Sequence, residues 1–374
     1  MISKRIKAID RFRGISMLWM ILGHNLAWVL APNFEIFHDV IFNIVDVIGS
    51  SGFIFISGVS MGLSFKRRQL HTDYNQRRFR NSYLINAGLI VFVALRYNSF
   101  AAVYMLDPTL IWGWSVLMTI SFSMFLAWPL LKVNKTIRIV IGLTIWILDN
   151  ILFNYLTQTK LINPISPIIL YLLYSPAELN PILEYFSFFL FGTVIGNILA
   201  EIWDQNRFTD EQRKVFVKKR LIYPLFIIGP LLTLFGIVLS PTQFYIKSFA
   251  WRFYSLGIML IFFSFLFTIE FYNLFTTKKS YRFLFFYSYY SLSIFLYHYI
   301  LIFLFPRMFN PISALVYISV LYVIITLLLR YIYKKWGSGA SIKAQLRKAA
   351  NYFADEIEKK RTLGFKEIYK EPQP

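Results

Sequence analysis

Apolar positions in this chain come in long blocks, and charged positions gather in the short gaps between them. A helix needs about twenty apolar residues to cross a hydrocarbon layer. The pattern predicts ten such spans: 14–32, 38–65, 82–104, 109–131, 138–156, 182–203, 221–240, 247–275, 283–306 and 311–333. Between 157 and 181 the apolar piece ISPIILYLLYS is too short to cross and reads as interfacial or re-entrant. Beyond Lys334 the chain turns polar, and SIKAQLRKAANYFADEIEKKR reads as an amphipathic helix lying on the membrane surface. The expected fold class is an all-α membrane protein of about ten transmembrane helices. A multi-pass domain covers 1–335 and a charged tail 336–374.

Charge orients this layout. With ten spans and both termini cytoplasmic, 34 of the 39 Lys and Arg fall on the cytoplasmic side. That asymmetry is the signature of topology in a multi-pass protein, expected here in the cell membrane. It also accounts for the net charge of +20, which in a soluble domain would point to nucleic acid. The chain is 57% hydrophobic and only 16% charged, against about a quarter charged in soluble domains. Cysteine is absent, which excludes disulfides, thiolate metal sites and a cysteine nucleophile. The four histidines form no HxxxH or HExxH pattern, so no metal site is expected.

Against this background one stretch stands out, AIDRFRGISMLWMILGH at 8–24. On a helix turning ~100° per residue, Arg13 and His24 differ by only ~20° in direction and Asp10 by ~40° from His24. Three ionisable groups share one face, and His24 lies ~16 Å further along than Arg13. Such groups are costly at membrane depth and are functional candidates by default.

Other polar groups fall within the predicted spans. The outer half holds Asp46, Arg96, Asp149, Glu184, Arg252 and His298, the last beyond a polar stripe of Tyr287 and Ser291. Together they predict a water-filled cavity open outward, with His24 at its floor and Asp46, Asp149 and Arg252 placed to touch a substrate that enters from outside. Asp149 and Arg252 have a second reading, as a structural ion pair. On the cytoplasmic side Arg13 and the Lys66, Arg67, Arg68 run form a basic patch suited to a polyanion. In SSGFIFISGVSMGLSFKRR the glycines, Gly58 among them, either let helices pack closely or leave room for an extended ligand. A proton-coupled secondary transporter, with His24 and Asp46 as relay, is the rival reading. A non-catalytic protein whose basic loops bind anionic lipid is a third.

Three short matches add to this. AIDRFRGI, the second-span SGFIFISGVSMGLSFKRR and SLSIFLYH ending at His298 resemble the heparan-alpha-glucosaminide N-acetyltransferase-like multi-pass membrane acyltransferases. Arg13, ten residues, then His24 is similar to the Arg/Lys-x10-His signature of the related acyltransferase family 3. Some members of the glucosaminide branch carry a histidine in the first outer loop, where this chain has His38. The resemblance implies transfer of an acyl group, often acetyl, from cytoplasmic acyl-CoA to a hydroxyl or amine of a glycan or lipid-linked acceptor. Acyl-CoA would be a co-substrate, with no bound cofactor. Catalysis is then expected from His24, Asp10 and His298, and CoA binding from Arg13, Arg67, Arg68 and Gly58. A neutral imidazole suits a general base for a hydroxyl or amine.

Overall fold

The computed structural model describes residues 5–34, 36–37, 39–41, 47–70, 75–175, 180–202, 209–240, 248–274, 282–298 and 307–368. The fold is all-helical, and no strand occurs among the described residues beyond an isolated bridge between Leu30 and Phe309. Long apolar stretches leave the backbone no partner but itself in lipid, so helices are the outcome.

In chain order the α-helices are α1 (Lys7–Val29), α2 (Ser50–Gln69), α3 (Gln76–Met105), α4 (Val116–Leu130), α5 (Lys135–Thr159), α6 (Ile165–Tyr174) and α7 (Ile182–Ile202). They continue with α8 (Asp210–Val217), α9 (Tyr223–Leu239), α10 (Phe249–Phe271), α11 (Arg282–Tyr289), α12 (Ser291–Tyr297), α13 (Pro311–Trp336) and α14 (Ile342–Ile368). Among the described residues seven helical stretches are long and apolar enough to cross a membrane. They begin at Gln76, Pro108, Lys135, Ile182, Glu211, Phe249 and Pro311. The other three predicted spans differ for separate reasons. α1 and α2 have the length, 23 and 20 residues, but carry charges and serines. The predicted span 38–65 has a turn at 47–49, so its long helix starts at Ser50. The predicted span 283–306 breaks at Tyr290, between α11 and α12.

α1 is the hub. It packs against α2, α10, α11, α12 and α13. Its first turn is capped by Glu270 of α10, which accepts from the backbone N–H groups of Lys7 at 2.8 Å and Ala8 at 2.5 Å. A carboxylate at a helix N-terminus satisfies orphan donors and opposes the helix dipole. Gly14 lies against the Leu284 carbonyl of α11, where a Cβ would collide with backbone.

The densest helix pair is α2 with α7. A Cβ on Gly58 would strike the Phe189 carbonyl, and one on Gly62 the Thr193 carbonyl. Gly192 and Gly196 of α7 meet the Phe55 and Val59 carbonyls in return. The small-residue stripe is thus filled by helix contact on both sides.

α13 ends at Gly337, whose φ of +50° is a conformation that favours glycine. The chain then turns into α14, which lies across α3 and α12.

Candidate active site

α2 is enclosed by neighbours along most of its surface, and its accessibility follows a single stripe. Between Ser51 and Phe65 only Phe53, Ser57, Ser60 and Ser64 keep partial access; Arg67 continues the line. These positions recur at i, i+4, i+7, i+11 and i+14, one face of a helix. Three serines and an arginine make that face polar. Ser57 and Ser60 donate to their own i−4 carbonyls at 2.7 and 2.8 Å, which leaves hydroxyl oxygens free to accept.

α1 presents a matching stripe. Arg13, Met20 and His24 are partly accessible, while Asp10, Met17 and Ile21 beside them are buried. The two stripes meet: Arg13 Nη2 donates to Ser60 Oγ at 2.6 Å. A polar seam therefore runs between α1 and α2, with Arg67 at its basic end and His24 further along α1. Arg13 can take this place because Gly14 turns the neighbouring position onto the α11 backbone.

At the far part of the seam two histidines pair. The rings of His24 and His298 lie 5.1 Å apart at 48°. His298 Nδ1 is 2.7 Å from the Phe295 carbonyl. A carbonyl only accepts, so Nδ1 carries the proton, and in the neutral ring the lone pair is on Nε2. His298 is buried, whereas His24 keeps partial access. Beyond His24, a recess of about 220 Å³ opens at the other end of α1, lined by Ala27, Pro32, Asp39 and Arg307 among others. It is closed on one side by backbone bonds from Arg307 to Trp28 and from Phe309 to Val29, both 2.8 Å.

At the basic end Asp10 accepts from Arg5, at 2.9 Å for Nη2, and from Ser288 Oγ at 2.9 Å. It shares a helix face with His24 but sits fourteen residues away, ~21 Å of helical rise. Asp10 is therefore out of direct reach of the His24 ring, and its partners are Arg5 and Ser288. His298 is the side chain beside His24. Of the two arginines ending α2, Arg67 lies on the serine stripe, while Arg68 stacks 4.4 Å above the Phe79 ring of α3.

The remaining expected site residues lie elsewhere. Arg252 donates to Asp149 Oδ2 at 2.5 Å and to the Trp146 carbonyl at 2.9 Å, with Glu184 3.6 Å away. Tyr174 donates to Asp149 Oδ1 at 2.8 Å. All four polar side chains are buried, and the cluster joins α5, α6, α7 and α10. Asp149 and Arg252 are thus engaged with each other in the interior, as the ion-pair reading expects. Gly58 faces α7, not the seam. Asp46 and His38 fall outside the described residues. No group of three or more metal-ligating side chains occurs among the described residues.

Sequence reading did not single out Ser57, Ser60 and Ser64, although their helical spacing was visible. It also passed over Asp39, Arg307 and Lys343, which no local pattern marks.

Residues 5–231 match a family model described as heparan-alpha-glucosaminide N-acetyltransferase, catalytic. No individual curated protein matches the chain. The match includes Asp10, Arg13, His24 and the serine stripe, and it ends before Ser288, His298 and α14. It covers well over half of the 374 residues, and so this membrane protein belongs to the heparan-alpha-glucosaminide N-acetyltransferase catalytic family.

Proposed function

We propose that the chain transfers an acyl group, acetyl by its family, from cytoplasmic acyl-CoA to a hydroxyl or amine of a glycan or lipid-linked acceptor, with His24 as general base. The observation that carries this is the polar seam, which links a basic end to a histidine pair through the interior of a helical bundle.

The two ends suit two substrates. CoA is a polyanion, and Arg67 and Arg13 are guanidinium groups that hold phosphate oxygens bidentately. Its pantetheine arm is long, narrow and rich in amide groups, and Ser64, Ser60 and Ser57 offer hydroxyls along its path. The ~16 Å rise from Arg13 to His24 separates the phosphates from the thioester. The acceptor comes from the opposite side, through the recess at Asp39 and Arg307, whose charges hydrogen-bond sugar hydroxyls.

The acceptor oxygen or nitrogen attacks the thioester carbonyl carbon. His24 removes the acceptor's proton as the new C–O or C–N bond forms. The tetrahedral intermediate collapses with cleavage of the C–S bond. His24 returns the proton to the departing thiolate, giving free CoA thiol and a neutral imidazole. His298, with Nδ1 held by the Phe295 carbonyl, presents an oriented ring against which His24 is positioned. The thioester is already activated, so the scheme needs no covalent enzyme intermediate.

Purified protein carrying His24→Ala, assayed for transfer from labelled acetyl-CoA, tests the assignment. Turnover is expected to fall about 10²–10⁴-fold, the usual share of general-base catalysis. Unchanged turnover in folded protein overturns it. Membership of an acetyltransferase family weighs against the transporter reading, which requires substrate flux without acyl-CoA consumption.

A further inference from the structure

The break in the helix at Tyr290 is held by the tail. Tyr290 Oη donates to the Gly337 carbonyl at 2.6 Å, and Ser341 Oγ to the Tyr289 carbonyl at 3.1 Å. Ser293 Oγ accepts from the Ile342 N–H at 3.2 Å. Lys343 Nζ donates to the Ser288 carbonyl at 3.2 Å. A broken helix inside a bundle needs partners for its freed carbonyls, and here residues 341–343 supply two of them.

Lys343 is thereby fixed at the basic end of the seam. Its side chain is exposed, with the ammonium held against the Ser288 carbonyl. Its charged neighbours among the described residues are Arg5, Asp10, Arg13 and Arg347. Three cations surround it against one carboxylate, and Asp10 is already bound by Arg5 and Ser288. The ammonium has three N–H donors and one goes to a carbonyl. The first turn of α14 adds the positive end of a helix dipole. Such a concentration of positive charge, built from two ends of the chain, is compensated when an anion with several oxygens binds.

We propose that Lys343 is a donor-binding residue: with Arg13 it holds the phosphate-bearing head of acyl-CoA, so that α14, outside the family match, completes the donor site. This rests on acyl-CoA being the donor. α14 is anchored well enough for such a role. Arg78 of α3 forms a bidentate pair with Asp355, Ser82 donates to Asn351 at 2.6 Å, and Asn81 to Glu358 at 3.4 Å.

The test is direct binding of CoA to the full-length protein in lipid nanodiscs, with wild type, Lys343→Gln, Lys343→Arg and Arg347→Gln, each checked for an unchanged melting temperature. Lys343→Gln is expected to weaken CoA binding about tenfold, the loss of one charge-assisted contact. Its dependence on salt should also be shallower, and Lys343→Arg should restore most of the affinity. In turnover, KM for the donor rises while kcat stays near wild type. If Lys343→Gln does not fold, Arg347→Gln at the rim carries the same prediction with a smaller change. Equal CoA affinity in wild type and Lys343→Gln overturns the assignment of Lys343 and leaves the acyl-CoA reading intact. Wild-type protein that binds no CoA overturns both. A Lys343→Gln protein that loses binding to anionic-lipid vesicles but keeps full CoA affinity assigns the cluster to a lipid headgroup and also overturns it.

Discussion

Two groups of polar and charged side chains in this helical protein differ in how they are closed. Asp149, Arg252, Glu184 and Tyr174 meet one another at hydrogen-bonding or ion-pair distance, and all are buried. Arg13, Ser60 and His24 keep partial access to solvent, and Lys343 of α14 is exposed. Asp149, Arg252 and Glu184 in the first group, and Arg13 and His24 in the second, are all flagged by the cost of charge at membrane depth. The closed cluster ties four helices together. The open one borders the contact between α1 and α2. An intramembrane charge therefore points to a site when it keeps access to solvent, not when it is sealed among other helices.

Substitution should separate the two groups by what fails. Arg252→Ala leaves Asp149 and Glu184 buried without their cation, which costs roughly 3–5 kcal/mol. Thermal unfolding of the detergent-solubilised protein should show a large drop, with activity lost in step with folded protein. His24→Ala should do the reverse, removing turnover while the melting temperature stays within a few degrees. If Arg252→Ala abolishes turnover in protein that melts like wild type, the contrast is wrong and the cluster belongs to the site.

Gly58→Ala comes next in size. Its Cβ would fall on the Phe189 carbonyl, so α2 and α7 must separate. Overpacking of this kind costs about 1–3 kcal/mol. Because the seam lies on the opposite side of α2, donor KM should follow the loss of folded protein only. A selective rise in KM at full stability would place Gly58 beside the ligand instead.

These contrasts also mark what a single sequence can carry. Apolar block length found the membrane class, the all-helical fold and the long spans, because hydropathy and helix length are local quantities. The α1 stripe was legible because helical angle follows from spacing. The break at Tyr290 was not, since its freed carbonyls are satisfied by residues some fifty positions away. Hydropathy sees 283–306 as one block for that reason. Asp149 and Arg252 could be read as partners or as ligand contacts, and only tertiary packing separates the two. Glycine stripes have the same ambiguity, since a missing side chain leaves room for a helix or for a ligand. Asp10 shows a different limit: it lies on the face of His24, yet axial distance rather than angle decides which groups meet.

The smallest expected effect tests the seam itself. Ser60 Oγ accepts one of the five guanidinium N–H donors of Arg13. Ser60→Ala removes that acceptor and leaves Arg13 its charge and its other donors. The change is worth about 1 kcal/mol, a few-fold in affinity, and falls on the group that holds phosphate. Donor KM should therefore rise a few-fold, with kcat and acceptor KM near wild type. Ser57→Ala, one turn closer to His24 along the same face, should leave the phosphate end alone and act on donors with a shortened arm. If Ser60→Ala instead lowers kcat without touching donor KM, Arg13 acts near the chemistry, and the two ends of the seam must be exchanged.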